Sequence, residues 1–318
     1  MRLISAAAAL AMLLPVNAQA QALRAQCTAA SRDPVRAFCE NVADAATMLQ
    51  PRVGIALSGG NPVPGTASTL GMRLGSMPRI SLTARVTAAD VDLPAVERMT
   101  DSADVSFPVG SIAADVSVGL FSGVSLLPTV GGFGSIDLLG SVGIIPLPRG
   151  EGFDNSAPLT WAAGARVGIL RESFTAPGVS VSMMYRRLGD VTFGDSTLTD
   201  RDAYFSVTGY DVLSLRGTVG KRVLGFGLTG GVGWDRYGSD VVGTLRDPGV
   251  LDPTRVLTIR EEGLTEDRLS AFGNVSFTLL ILNMSAELGW QQGGDAPGAS
   301  ELLEKRGLFG GLALRLAI

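Results

Sequence analysis

The chain has 318 residues, 46% hydrophobic and 18% charged, with 41 glycines and a formal net charge of −4. That hydrophobic content excludes a disordered chain, and the mild net charge gives no electrostatic footprint for nucleic acid. There is no histidine, so the commonest metal ligand and general base are both missing, and neither a cofactor nor a metal site is expected.

The N-terminus carries Arg2, an apolar run from Ile4 to Leu14 and the small-residue site Val16-Asn17-Ala18-Gln19-Ala20. Residues 1–20 therefore read as a cleaved signal peptide, with the mature chain starting near Gln21. Beyond it no stretch is long and apolar enough for a spanning helix, so any membrane crossing is made by strands. Cys27 and Cys39 are the two cysteines of an exported chain, which favours a disulfide worth about 3 kcal/mol for a loop of this size. Asp33-Pro34 is an N-cap followed by proline at the first helical position, and Val35, Phe38, Val42, Ala46 and Leu49 recur at helical spacing. This predicts an amphipathic helix over 33–49, stopped by Pro51. Residues 21–50 are expected to form a disulfide-stapled periplasmic helix, either packed on the mouth of the following domain or plugging it.

From Arg52 the hydrophobic period changes from 3.6 to 2. Val53, Ile55 and Leu57 alternate with Arg52, Gly54 and Ala56, and Ile80, Leu82, Ala84 and Val86 with Ser81, Thr83, Arg85 and Thr87. The same dyad runs through Val275 to Leu279 and Leu282 to Trp290. Twelve strands are predicted, over 51–58, 68–75, 78–88, 112–122, 132–143, 159–170, 178–188, 203–219, 222–237, 266–280, 281–291 and 307–318. Their connections sort by side. Those near Ser76-Met77, 123–131, 171–177, 220–221 and Leu280-Ile281 are short, whereas 59–67, 89–111, 144–158, 189–202, 238–265 and 292–306 are longer. Such sorting predicts an all-β fold, a transmembrane antiparallel up-and-down β-barrel over 51–318.

In the last strand Leu308, Gly310, Leu312, Leu314, Leu316 and Ile318 alternate with Phe309, Gly311, Ala313, Arg315 and Ala317. With the signal peptide and the loop pattern, this resembles the bacterial outer-membrane β-barrel proteins, although that class usually ends in Phe and this chain ends in Ile318. The resemblance implies localisation in the outer membrane, contact with its lipid, and recognition of the C-terminal strand by the barrel-assembly machinery. Trp161, Trp234, Trp290, Tyr185 and Tyr237 fall near strand ends, where an interfacial girdle is expected.

If the apolar parity faces lipid, the lumen parity carries Arg52, Arg73, Arg85, Arg166, Arg186, Arg216 and Arg315 against Asp115, Asp137 and Glu287. Ringed charge sets selectivity, so this predicts a passive pore favouring anionic or small polar solutes. Asp90, Asp92, Glu97, Asp101 and Asp104 make the second external segment acidic, and folded inward it would form a constriction. The alternatives are a filled structural or adhesive surface barrel, in which the arginines pair with the acids, and a channel for hydrophobic solutes. No nucleophile, base or paired-acid motif supports an enzyme. Gly225 to Gly230 matches a dinucleotide fingerprint, but no βαβ unit surrounds it, and it reads as strand. Asp211 breaks the parity, as a bulge would. Residues 238–265 read as strand extensions rising above the membrane.

Overall fold

The computed structural model describes residues 18–71, 78–94, 96, 98–100, 104–125, 131–147, 152–153, 157–194, 197–199, 201–248, 252, 254–294 and 306–317. The expected signal peptide as far as residue 17, the Ser76-Met77 turn, Arg73, Glu97, Asp101 and Ile318 lie outside the described residues. In chain order come helix α1 (Ala18–Gln26), a 3-10 turn (Cys27–Ala29) and helix α2 (Asp33–Ser58). The strands are β1 (Ile80–Leu93), β2 (Val105–Phe121), β3 (Ser135–Ile144), β4 (Leu159–Leu170), β5 (Gly178–Leu188), β6 (Val191–Gly194), β7 (Ala203–Val223), β8 (Phe226–Arg246), β9 (Val256–Leu279), β10 (Leu282–Gln291) and β11 (Gly307–Ala317).

Ten of these close an antiparallel barrel, with β1 paired to β11 and β5 to β7. The short β6 continues the β5 ladder on β7 in the same register, Arg187 facing Asp211 and then Val191 facing Val207. Closure leaves no free edge, so every wall strand satisfies its backbone groups against a neighbour.

The wall consists of the last ten predicted strands, and the first two are corrected. Residues 51–58 are the C-terminal part of α2, which runs straight through Pro51. Every residue from Arg52 to Ser58 is buried. A segment enclosed on all sides has no solvent face, so its alternation of Val53, Ile55 and Leu57 carried no information about a strand. Inside a closed ladder there is no edge to pair with, and a helix is the conformation that bonds its own backbone. Residues 61–71 descend the lumen without joining the wall, and the rest of predicted strand 68–75 lies outside the described residues.

The long wall strands β1, β2, β7, β8 and β9 invert their polarity along their length. On β1 the inward residues are Ser81, Thr83, Arg85 and Thr87, then Ala89, Val91 and Leu93; the outward ones are Ile80, Leu82 and Val86, then Asp90 and Asp92. Toward the end with the tight Leu224-Gly225 and Leu280-Ile281 turns, the barrel is apolar outside and polar inside. Toward the long-loop end it is built like a soluble protein, with Phe107, Phe193, Phe205, Val241, Leu245 and Ile259 buried inside against α2. There β7, β8 and β9 span 21, 21 and 24 residues, against 10 for β3 and β10. The segment expected to rise above the membrane is thus the continuation of β8 and β9, joined by residues 247–255.

The same inversion corrects the expected constriction, while the bulge expected at Asp211 is present. Asp90 and Asp92 belong to β1 and sit on its outer face above the apolar zone, Asp104 is exposed ahead of β2, and no inward-folded constriction forms among the described residues. Asp211 lies on the outer face of β7, where the β7–β8 register shifts between Thr208 and Asp211. The shift restores inward parity to Tyr210, Val212, Ser214 and Arg216.

The N-terminal helix is not at the short-turn end. Leu23 of α1 is buried, and the Gln26 side chain exchanges two hydrogen bonds with the Arg260 backbone of β9, at 2.8 and 2.9 Å. Ser31 N–H donates to Asp247 at 3.1 Å, and Arg255 pairs with Asp247 at 3.3 Å. Arg24 reaches Glu40 and Asp44 of α2 at 3.3 and 3.2 Å. Cys27 and Cys39 are joined by a disulfide across 12 positions, which ties the α1 cap to the outer turns of α2. The cap therefore covers the long-loop end, and the chain enters the barrel from there. Replacing both cysteines with serine is expected to loosen the cap by about 3 kcal/mol. Added protease should then cut between residues 21 and 33 at least tenfold faster; an unchanged cleavage rate would contradict that role.

Candidate functional site

The arginines expected to line a pore meet the end of α2. A helix leaves its last four carbonyls without intrahelical partners and concentrates partial negative charge there. In α2 all four are taken. Ile55 O accepts from Gly59 N–H at 2.7 Å, and Ala56 O from the hydroxyls of Thr87 and Ser111, the latter at 2.9 Å. Leu57 O accepts from Arg186 Nε at 3.1 Å and Ser58 O from Arg216 Nη2 at 2.7 Å. Arg216 also donates through Nε to Gly60 O at 3.2 Å and through Nη2 to Asp235 at 2.8 Å. The wall of the lumen is a socket for this helix terminus.

Above the socket two buried tyrosines grip the helix. Tyr210 donates its hydroxyl to Gln50 O, and the Tyr237 hydroxyl accepts from Gln291 Nε2 at 2.6 Å. Both rings press on Gly54, where a Cβ would fall 2.6 Å from Tyr237 Cδ1 and closer to Tyr237 Cε1 and the Tyr210 hydroxyl. Glycine in a helix interior costs up to about 1 kcal/mol relative to alanine; here it admits both tyrosines. Gln50 Nε2 completes the clamp with hydrogen bonds to Ser239 Oγ and Leu264 O at 2.9 and 3.0 Å.

Below the socket the chain continues as an irregular segment with a turn at Pro64-Gly65. Gly60 takes φ +75°, the left-handed region, and the Glu287 carboxylate occupies the space a Cβ would fill. Glu287 accepts from Asn61 N–H at 3.0 Å, and both Asp137 oxygens accept from Leu70 N–H at 3.0 Å. Two gaps between this segment or α2 and the wall hold about 10 Å³ each, one beside Val63 and Asp115, the other beside Arg52 and Arg268. Each is about the size of one water.

The predicted lumen residues therefore divide. Arg85 pairs with Asp115 at 3.3 Å and Arg166 with Asp137 at 2.6 Å, all four buried. Arg186, Arg216 and Glu287 hold the plug, and Arg52 belongs to the plug itself. Arg315 stands apart nearer the short-turn end. Sequence reasoning missed Asp235, Glu266 and Arg268, which carry the inward parity; Arg268 and Glu266 pair at 3.2 Å. It also placed Tyr237 in the girdle, whereas that side chain is fully buried inside. Trp161, Tyr185 and Trp290 do face outward, and Trp161 meets Tyr185 edge-on at 6.0 Å.

Around this filled interior runs an exposed belt that includes Leu82, Val116, Leu138, Val181, Val219, Leu228, Val275, Leu288 and Leu312. A closed ladder with such a belt outside and ion pairs inside is suited to hydrocarbon, with short turns on the periplasmic side. The fold is that of an outer-membrane β-barrel.

No protein-family model and no curated protein matches the sequence. Solved structures do resemble it. The translocator domain of autotransporter NalP from Neisseria meningitidis aligns with 12% identity and a TM-score of 0.42 over 86% of this chain and 96% of that one. The outer membrane protease OmpT from Escherichia coli aligns with 13% identity and a TM-score of 0.37 over 80% and 100%. The attachment invasion locus protein Ail of Yersinia pestis gives 10% and 0.30 over 76% and 98%. No activity is carried over from likenesses of this degree.

Proposed function

We propose that the barrel is a sealed scaffold that holds its own N-terminal segment across the outer membrane and presents the disulfide-closed cap and the β7–β9 tower at the cell surface, where they serve adhesion or partner docking. The observation that carries this reading is the capping of the last three carbonyls of α2 by the wall: the lumen's donors face the plug's carbonyls rather than a solute path. The tower's outward residues, among them Asp240, Thr258, Arg260 and Glu262, are polar and exposed, as a surface in water requires.

The second reading is the passive pore for anionic or small polar solutes. It is favoured by Arg186, which meets Leu57 O and Met184 Sδ but no carboxylate, and would become an open cationic site once the plug withdrew. Planar-bilayer recording separates the two. The sealed scaffold is expected to insert without conductance steps, while a tag placed at Gln21 stains on intact cells. Steady anion-selective conductance that falls when Arg85, Arg166 and Arg186 are changed to alanine would overturn it in favour of the pore.

A further inference from the structure

Every other buried wall arginine has an assigned partner: Arg85, Arg166, Arg216 and Arg268 have carboxylates, and Arg186 has the helix carbonyl. Arg315 is the exception. Its side chain is 6% exposed, yet its guanidinium makes no hydrogen bond or ion pair among the described residues, and its Nε is wholly buried without an acceptor. The charges acting on it are those of Arg166 and Arg222, both positive. A buried cation in that state is strongly disfavoured unless an anion joins it.

The space for one is present. Arg315 lines a cavity of about 390 Å³ at the periplasmic mouth, between the descending segment and the wall, together with Arg79, Arg222, Thr66, Ser68 and Thr69. Ser68 Oγ accepts from Glu172 N–H at 2.9 Å, which leaves its own hydrogen available to donate. Arg79 spends one weak bond, 3.4 Å, on Leu70 O. Arg222 pairs with Glu172 at 3.0 Å from the exposed rim, so part of its fork remains toward the cavity. Planar guanidinium forks backed by hydroxyl donors match a tetrahedral oxyanion, which accepts from several directions at once.

We propose that this vestibule is a phosphate-binding site, with Arg315 at its base, Arg79 and Arg222 at its rim and Ser68 as a hydroxyl donor. It takes a phosphate group presented from the periplasmic side, either as a free phosphate compound or as the headgroup of an inner-leaflet phospholipid. The site is independent of whether the lumen conducts.

The test uses the full-length barrel in detergent, titrated calorimetrically with inorganic phosphate and with pyrophosphate. Saturable one-site binding is expected, weakened about tenfold or more in Arg315→Gln. It should be retained in Arg171→Gln, because Arg171 lies outside the cavity and donates to Ser122 O. Should Arg315→Gln fail to fold, Arg222→Gln replaces it, with a severalfold loss expected. Repeating the titration in phosphatidylcholine and phosphatidylglycerol nanodiscs identifies the source. Affinity in both nanodiscs equal to that in detergent marks a free phosphate ligand, and loss of binding in either lipid, since both carry a headgroup phosphodiester, marks the lipid headgroup. Absence of saturable binding to either probe, or binding that Arg315→Gln and Arg222→Gln leave unchanged, overturns the proposal.

Discussion

Replacing Arg216 with alanine is expected to destabilise the folded protein by about 3–5 kcal/mol, the range for removing one partner of a buried ion pair. Both Arg216 and Asp235 have side chains with no exposure, so the variant strands a carboxylate where water cannot reach it. The same change takes donors from Ser58 O and Gly60 O, at the junction where α2 becomes the descending segment. Urea unfolding in lipid vesicles measures the loss, and a double-mutant cycle with Asp235→Asn apportions it between the ion pair and the plug contacts. A cost below about 1 kcal/mol would mean that the socket does not hold the plug.

Gly54→Val is expected to have the largest functional effect. The added branches have no space between the rings of Tyr210 and Tyr237, both fully buried and unable to retreat without disturbing Gln50, Gln291 and Ser58. Overpacking of this kind costs about 1–3 kcal/mol when the surroundings cannot yield. The wall's own ladders do not depend on α2, so the relief available is displacement of the helix. The variant should then keep the heat-modifiable mobility of a folded barrel and conduct in planar bilayers, where the sealed scaffold proposed for the parent is expected to be silent, with Gly54→Ala intermediate. If Gly54→Val is as stable and as silent as the parent, the tyrosine clamp is not what seats the plug.

Much of the wall was legible from residue order alone. The dyads around Ile80 to Val86, Val275 to Leu279 and Leu282 to Trp290 each lie in a strand with the expected face outward. That succeeds because a wall residue has one lipid side and one interior side, and local alternation records which is which. Reading Asp90 and Asp92 as a constriction failed for the converse reason. Above the membrane the solvent changes from hydrocarbon to water, and the polarity of each face inverts without any change in strand geometry.

The sequence by itself determined a closed antiparallel barrel, the side on which its tight turns gather, the inward direction of Arg85, Arg166, Arg186, Arg216 and Arg315, and a cysteine pair placed to close a short loop. Only the tertiary structure decided that residues 51–58 form helix, that the cap sits at the long-loop end, and that four orphan carbonyls are what Arg186, Arg216, Thr87, Ser111 and Gly59 answer. The division has a physical cause. Alternation is a property of neighbours along the chain, whereas Arg186 meets Leu57 across 129 positions and Arg216 meets Ser58 across 158, contacts that exist only once the wall has closed around the helix.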